Sequence, residues 1–188
     1  MQELPDRPTS AGWYLVAFGL IGSALAISLT GFNQMREVVE TMQRRVMPGV
    51  HEVALAGGKA ALYYEPESEL KEHSYSTPAD LKFTCTLRDQ RGKTLKLEAP
   101  TGKIEYASGP YVGRKVFDVD VVAPGTYNLA CTADQPFVLA LGGGLGAWMV
   151  VAIVGGLVPG LAGLIVIAFV TIKRRQWFAK NPGKTTDT

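Results

Sequence analysis

Hydrophobic and polar positions follow three regimes along the chain. From Val138 to Ile172, thirty-five residues pass without an Asp, Glu, Lys, Arg or His, and Lys173, Arg174 and Arg175 follow at once. A run of that length closed by a basic cluster predicts a membrane-spanning helix whose stop signal lies on the cytoplasmic side. A second charge-free run between Arg7 and Arg36, with its apolar heart at Trp13–Thr30, predicts another. Between the two, from about Val50 to Ala140, the period shortens to two, as in β-strands.

The clearest alternation is Leu81–Asp89, with Leu81, Phe83, Cys85 and Leu87 on one face and Lys82, Thr84, Thr86 and Arg88 on the other. Gln90, Arg91 and Gly92 form a turn signal, and Lys93–Glu98 returns with Leu95 and Leu97 inward. Phe117, Val119 and Val121 alternate with Asp118 and Asp120. Pro124 and Gly125 turn the chain into a strand lined by Tyr127, Leu129 and Cys131. Weaker strands are expected at His51–Ala56, Lys59–Glu65 and Lys103–Ala107. Seven or eight short strands in about ninety residues predict a β-sandwich.

The expected fold class is therefore an integral membrane protein with two transmembrane α-helices flanking an all-β extracytoplasmic sandwich. Its expected segments are a cytoplasmic N-terminus over 1–11, a first span over 12–32 and a juxtamembrane amphipathic helix over 33–48. The sandwich follows over 49–140, then a glycine-rich linker and second span over 141–172 and a basic tail over 173–188. The juxtamembrane helix rests on the stripe Met35, Val38, Val39, Met42 and Val46, with Arg36, Glu37, Glu40, Arg44 and Arg45 elsewhere and Pro48-Gly49 as its end. Gly142, Gly143 and Gly144 favour a loose connection, so the second helix is expected to start near Leu145. Pro159 falls inside it and predicts a local bend.

Charge sets the orientation. The tail 173–188 holds five basic residues against Asp187, whereas residues 32–140 hold 13 Lys/Arg against 14 Asp/Glu. The basic flank places both termini in the cytoplasm and residues of about 33–140 outside, in what reads as a bacterial inner membrane. The interface anchors are Trp13 and Tyr14 at one end of the first span, Trp148 at the outer end of the second, and Lys173, Arg174, Arg175 and Trp177 at its inner end. Ala24-Leu25-Ala26 offers a small-x-small cleavage site, but the preceding region lacks a positive bias, and a retained anchor is the expectation. No basic face interleaved with aromatics exists, so nucleic acid is not an expected partner.

Cys85 and Cys131 fall on the apolar faces of their strands. Outside the cytoplasm such a pair predicts an intersheet disulfide, with two reduced thiols as the alternative. The run Gly125, Tyr127, Leu129 and Cys131 resembles the strand that carries the second cysteine in immunoglobulin-like domains. In that family the tyrosine precedes the cysteine by two positions, whereas Tyr127 precedes it by four, and no tryptophan lies in the β region. The resemblance implies an architecture and no functional residue.

Candidate chemistry is sparse. His51 and His73 belong to no metal-ligand spacing. Glu65, Glu67, Glu69 and Glu72 cluster around Pro66 without the spacing of a calcium loop and are expected to be solvated. No nucleophile elbow or phosphate loop is present, so no catalytic residue, metal or cofactor is expected. Neither span carries an ionisable group that would mark a solute path. The spans do carry small residues at helical spacing: Gly19 with Ser23 and Gly22 with Ala26 in the first, and Ala152, Gly156 and Gly160 in the second. Such ridges let helix backbones approach closely in lipid. The expected partners are the bilayer and other integral membrane subunits or further copies of the chain. A non-enzymatic accessory, assembly or scaffold subunit is the expected function, and a membrane-anchored sensor recognising a glycan, peptide or envelope component is the alternative.

Overall fold

The computed structural model describes residues 9–70 and 72–182. Most of the N-terminal segment, Lys71 and the end of the basic tail lie outside the described residues. Two long apolar helices, α1 (Gly12–Thr41) and α2 (Leu145–Lys180), flank ten antiparallel strands. These are β1 (Gln43–Met47), β2 (Gly49–Leu55), β3 (Gly58–Leu70), β4 (His73–Ser76), β5 (Phe83–Asp89), β6 (Thr94–Leu95), β7 (Glu105–Ser108), β8 (Tyr111–Val121), β9 (Gly125–Ala133) and β10 (Phe137–Gly142). The chain divides into two compact units, one of Gln34–Trp148 and one formed by the two chain ends, up to Asn33 and from Met149.

In the first of these, strands β1-β10-β3-β8-β7 form one sheet, with β4 on β3, and β2-β9-β5-β6 form a second. Their facing sides enclose one core, to which Met47, Val53, Leu62, Tyr64, Leu87, Val119, Leu129, Phe137 and Leu139 contribute. At its centre the rings of Tyr64, Phe83 and Phe137 lie 4.7–5.9 Å apart between centroids. These aromatics pack between the two sheets. Alternating burial along β9 follows the expected pattern, with Tyr127, Leu129 and Cys131 inward.

The six-stranded sheet is covered on its other face too. Val39 and Met42 at the end of α1, Leu145 at the start of α2, and Ala61, Tyr63, Tyr106 and Ala140 form a second apolar layer there. Strand β10 is accordingly buried on both sides, and its run Phe137–Leu141 lacks alternation for that reason.

Three expectations are corrected. The juxtamembrane helix does not reach Met47. It is the continuation of α1, it stops at Thr41, and Gln43–Met47 pairs along β10 from Gln43↔Leu141 to Met47↔Phe137. Backbone bonds to β10 outcompete one more helical turn, because β10 would otherwise present an unpaired edge. Among the described residues the strands number ten rather than seven or eight, since alternation alone does not mark β1, β4 and β10 as strands. The disulfide is not intersheet. Cys85 and Cys131 are direct register partners on neighbouring strands of one sheet, with Cα atoms 4.1 Å apart. Opposed residues of an antiparallel pair project to the same face, so the two sulfurs meet without crossing the core.

The terminal unit is a helical hairpin. Helix α2 starts at Leu145 as expected but continues to Lys180, eight residues past Ile172, where the charge-free run ends.

Candidate functional site

Small side chains hold the hairpin together. A Cβ on Gly156 would meet the Ser28 hydroxyl and lie 3.3 Å from the Ala24 carbonyl oxygen, and one on Gly163 would lie 2.9 Å from the Ala17 carbonyl oxygen. Gly31 and Ala152 approach so closely that a Cβ on the former would lie 2.7 Å from that of the latter. Two polar clasps close the ends: Ser28 donates to the Ala152 carbonyl at 2.9 Å, and the Tyr14 and Thr171 hydroxyls lie 3.0 Å apart. The expected ridge Ala152, Gly156, Gly160 is therefore the face that α2 presents to α1.

On α1 the small residues at Gly19, Gly22, Ser23 and Ala26 are not the ones that meet α2. Ala17, Ile21, Ala24, Ser28 and Gly31 meet α2. Gly19, Gly22, Ser23 and Ala26 lie on the opposite side of the helix and are exposed, with nothing within 4 Å of a Cβ on Gly19 or Gly22. The hydroxyls of Ser23 and Thr30 bond back to the carbonyls of Leu20 and Ala26. That ridge is not packed against another helix among the described residues.

The β unit contains a charged network that the sequence did not announce. Glu65 is fully buried, and Arg44 nearly so. Arg44 meets both Glu65 oxygens at 3.0–3.1 Å, Tyr106 donates to Oε1 at 2.6 Å and Ser68 to Oε2 at 2.6 Å. The same guanidinium donates to the Val39 carbonyl at 2.8 Å and lies 3.5 Å from the Tyr111 ring centroid. It thus supplies positive charge and a donor to the last turn of α1, where unpaired carbonyls gather. A Cβ on Gly113 would lie 2.3 Å from the Tyr106 ring, so only glycine lets that tyrosine reach Glu65. Burial, reinforced by the Glu65 charge, pushes the Tyr106 phenol far above its usual range, and burial pushes Tyr63 up to about 12.

The solvated acidic cluster is corrected accordingly: Glu67, Glu69 and Glu72 are exposed, but Glu65 is a core residue. One signal pointed to it. Glu65 closes the run Ala61–Tyr64, which is buried on both sheet faces, and a carboxylate there needs a cationic partner. Arg44 was placed on a polar helix face because the switch from helix to strand at Gln43 has no period of its own.

Chemistry elsewhere is limited. Among the described residues no three or more His, Cys, Asp or Glu side chains converge as metal ligands. His51 bonds the Val46 carbonyl through Nε2 at 2.9 Å. Asp118, on the polar face of β8, accepts from the Thr101 amide at 2.6 Å and from Lys115 at 3.0–3.1 Å. Partial burial works to raise its carboxyl, but those bonds outweigh it and hold it below the usual range. At the end of the sandwich, a groove of about 810 Å³ runs between the β5–β6 turn and the β8–β9 turn, lined by Arg91, Lys93, Glu98, Asp120 and Tyr127 among others. Tyr127 donates to the Ala123 carbonyl at 2.6 Å, a bond back across the turn like that of the immunoglobulin tyrosine corner.

No protein-family model, curated protein or solved structure matches the chain.

Proposed function

We propose that the chain is a non-enzymatic accessory or assembly subunit of a membrane protein complex. In this reading the hairpin spans a bilayer, both termini are cytoplasmic and the β unit stands in an oxidising compartment outside. The observation that carries it is the hairpin's inverted packing: Leu15, Phe18, Leu29, Leu164 and Ile165 point outward while Ala17 and Ala152 are buried. Such exposure is unfavourable in water and ordinary in lipid. From Ala152 to Thr171, the levels of the two polar clasps, α2 rises about 28 Å, close to the thickness of a hydrocarbon core. A disulfide supports the outer placement, since the bond persists where thiols are not kept reduced. With one ridge consumed inside the hairpin, Gly19, Gly22, Ser23 and Ala26 are the surface offered to another subunit's helix, foreign or identical.

Gentle detergent extraction followed by native mass measurement tests the reading. The expected result is a complex containing another membrane protein or further copies, lost when Gly19 and Gly22 are replaced by Val. A lone monomer would overturn it. The groove of about 810 Å³ favours the alternative of a membrane-anchored sensor. For that reading, a glycan or envelope peptide should bind the full chain and be weakened by Lys93→Ala and Asp120→Ala.

A further inference from the structure

The sheet β2-β9-β5-β6 turns one side to the core, and no element among the described residues packs on the other. Alternating burial along β2, β5 and β9 puts their even-numbered side chains on that outer side. Register lines them up in rungs across the sheet. Glu52 on β2, Asn128 on β9 and Arg88 on β5 are successive partners and form one rung, and Val50, Ala130 and Thr86 form the next. Glu52 and Arg88 are the charged residues of this face on the three strands. Both are exposed, and neither has an ion-pair partner among the described residues. They stand one strand to either side of Asn128, about 10 Å apart between backbones. The side chains around them are mostly Thr and Ala, and a depression of about 610 Å³ runs over Val50, Ala130 and Thr86.

We propose that this face is a contact between two copies of the chain. A two-fold axis along β9, lying between the stacked sheets, exchanges the two sides of each rung and leaves Asn128 and Ala130 on the axis. Arg88 of each copy then faces Glu52 of the other. Asn128 faces Asn128, and each amide carries both a donor and an acceptor for the other. In the next rung Val50 of one copy comes over Thr86 of the second, and the small Ala130 lets the sheets close. Strands running alongside one another are an ordinary arrangement for stacked sheets. The order of charges names a second copy as the occupant: a cation and an anion at equal distances from the central strand complement themselves under that rotation, whereas two like charges would repel. The contact does not depend on the membrane-spanning reading or on the α1 ridge.

The full chain carrying Asn128→Cys is purified in micelles and treated with a short bismaleimide. Covalent dimers should form, because that residue lies on the axis. Arg88→Glu or Glu52→Arg, added singly, should lower the dimer yield about tenfold, since like charges then meet twice in each contact. The two reversals together should restore it, which also separates a lost contact from a misfolded variant. Monomers alone from Asn128→Cys would overturn the proposal, and are what a foreign protein or a small ligand on this face would leave. A yield unmoved by either reversal, or no recovery in the double reversal, would overturn it as well. Gly22→Val should leave the yield unchanged, so failure of assembly through the α1 ridge and failure of this contact are read separately.

Discussion

The hairpin and the β unit solve burial in opposite ways. In the hairpin the residues that meet are the smallest, Ala17, Ala24, Ala152 and Gly156, and the large side chains face out, Leu15 at 76 % exposure and Ile165 at 68 %. In the β unit the largest side chains are the most buried, with Tyr64 and Phe137 at 0 %. Water drives the second arrangement, because burying an aromatic there removes a large apolar area from solvent. Lipid supplies no such drive, so helices associate where backbones come closest and dispersion contacts are densest. On the membrane-spanning reading proposed above, one chain is folded for two solvents.

The same contrast governs polar groups. Both hairpin clasps are neutral hydroxyl contacts, Ser28 to a carbonyl and Tyr14 to Thr171. The β unit instead buries a full ion pair, Arg44–Glu65, with Tyr106 and Ser68 saturating the carboxylate. It is tolerated because every oxygen has a donor and the guanidinium also serves the end of α1.

The largest test of this contrast is Glu65→Ala. It leaves Arg44 buried without its partner and should destabilise the β unit by about 3–5 kcal/mol, read by urea denaturation of the full chain in micelles. Arg44→Met combined with Glu65→Leu should restore most of the loss, and a double variant as unstable as the single would show that the network is worth more than its desolvation. Next, replacing both Cys85 and Cys131 by Ala should cost about 2–4 kcal/mol in the same assay, from the loop the bond closes in the unfolded chain.

In the hairpin the decisive comparison is Gly156→Val against Gly22→Val. The first inserts a side chain against Ser28 and the Ala24 carbonyl and should weaken the helix pair by about 1–3 kcal/mol, seen as lost bifunctional crosslinking between cysteines placed at Tyr14 and Thr171. The second meets open space and should leave that crosslink unchanged. Equal effects would mean that the two faces of α1 are not distinguished. The smallest effect concerns pH. Asp118 has a depressed carboxyl, so its contribution is complete above an unfolded-state value of about 4 and is lost as pH falls through the folded one. The pair is partly exposed, so the change should stay below about 1 kcal/mol and shrink in Lys115→Met, where the Thr101 amide bond remains.

How much of this was legible beforehand depends on the period of each segment. The two apolar helices, the start of α2 near Leu145, the inward faces of β5, β8 and β9 and the α2 ridge could be read directly, because each repeats with one period along one element. The cysteine pairing was legible as a pair and misplaced as an intersheet bond, since register and not spacing decides which strands are neighbours. Strand β10, expected only as the end of the sandwich, is not marked as a strand by its sequence because burial on both faces erases alternation.

Local pattern along the chain is enough to choose between helix and strand where one period persists, and to separate long apolar runs from alternating segments, because hydrophobicity and period act on neighbouring residues. Only the tertiary structure could say that Gln43–Met47 leaves the helix for the edge of β10, that Glu65 lies in the core beside Arg44, and which face of α1 meets α2. Those outcomes depend on groups brought together from distant positions: Arg44 with Glu65 and Tyr106, Ser28 with Ala152. Their free energy exists only once both partners are desolvated in the same place, and no one-dimensional period carries that information.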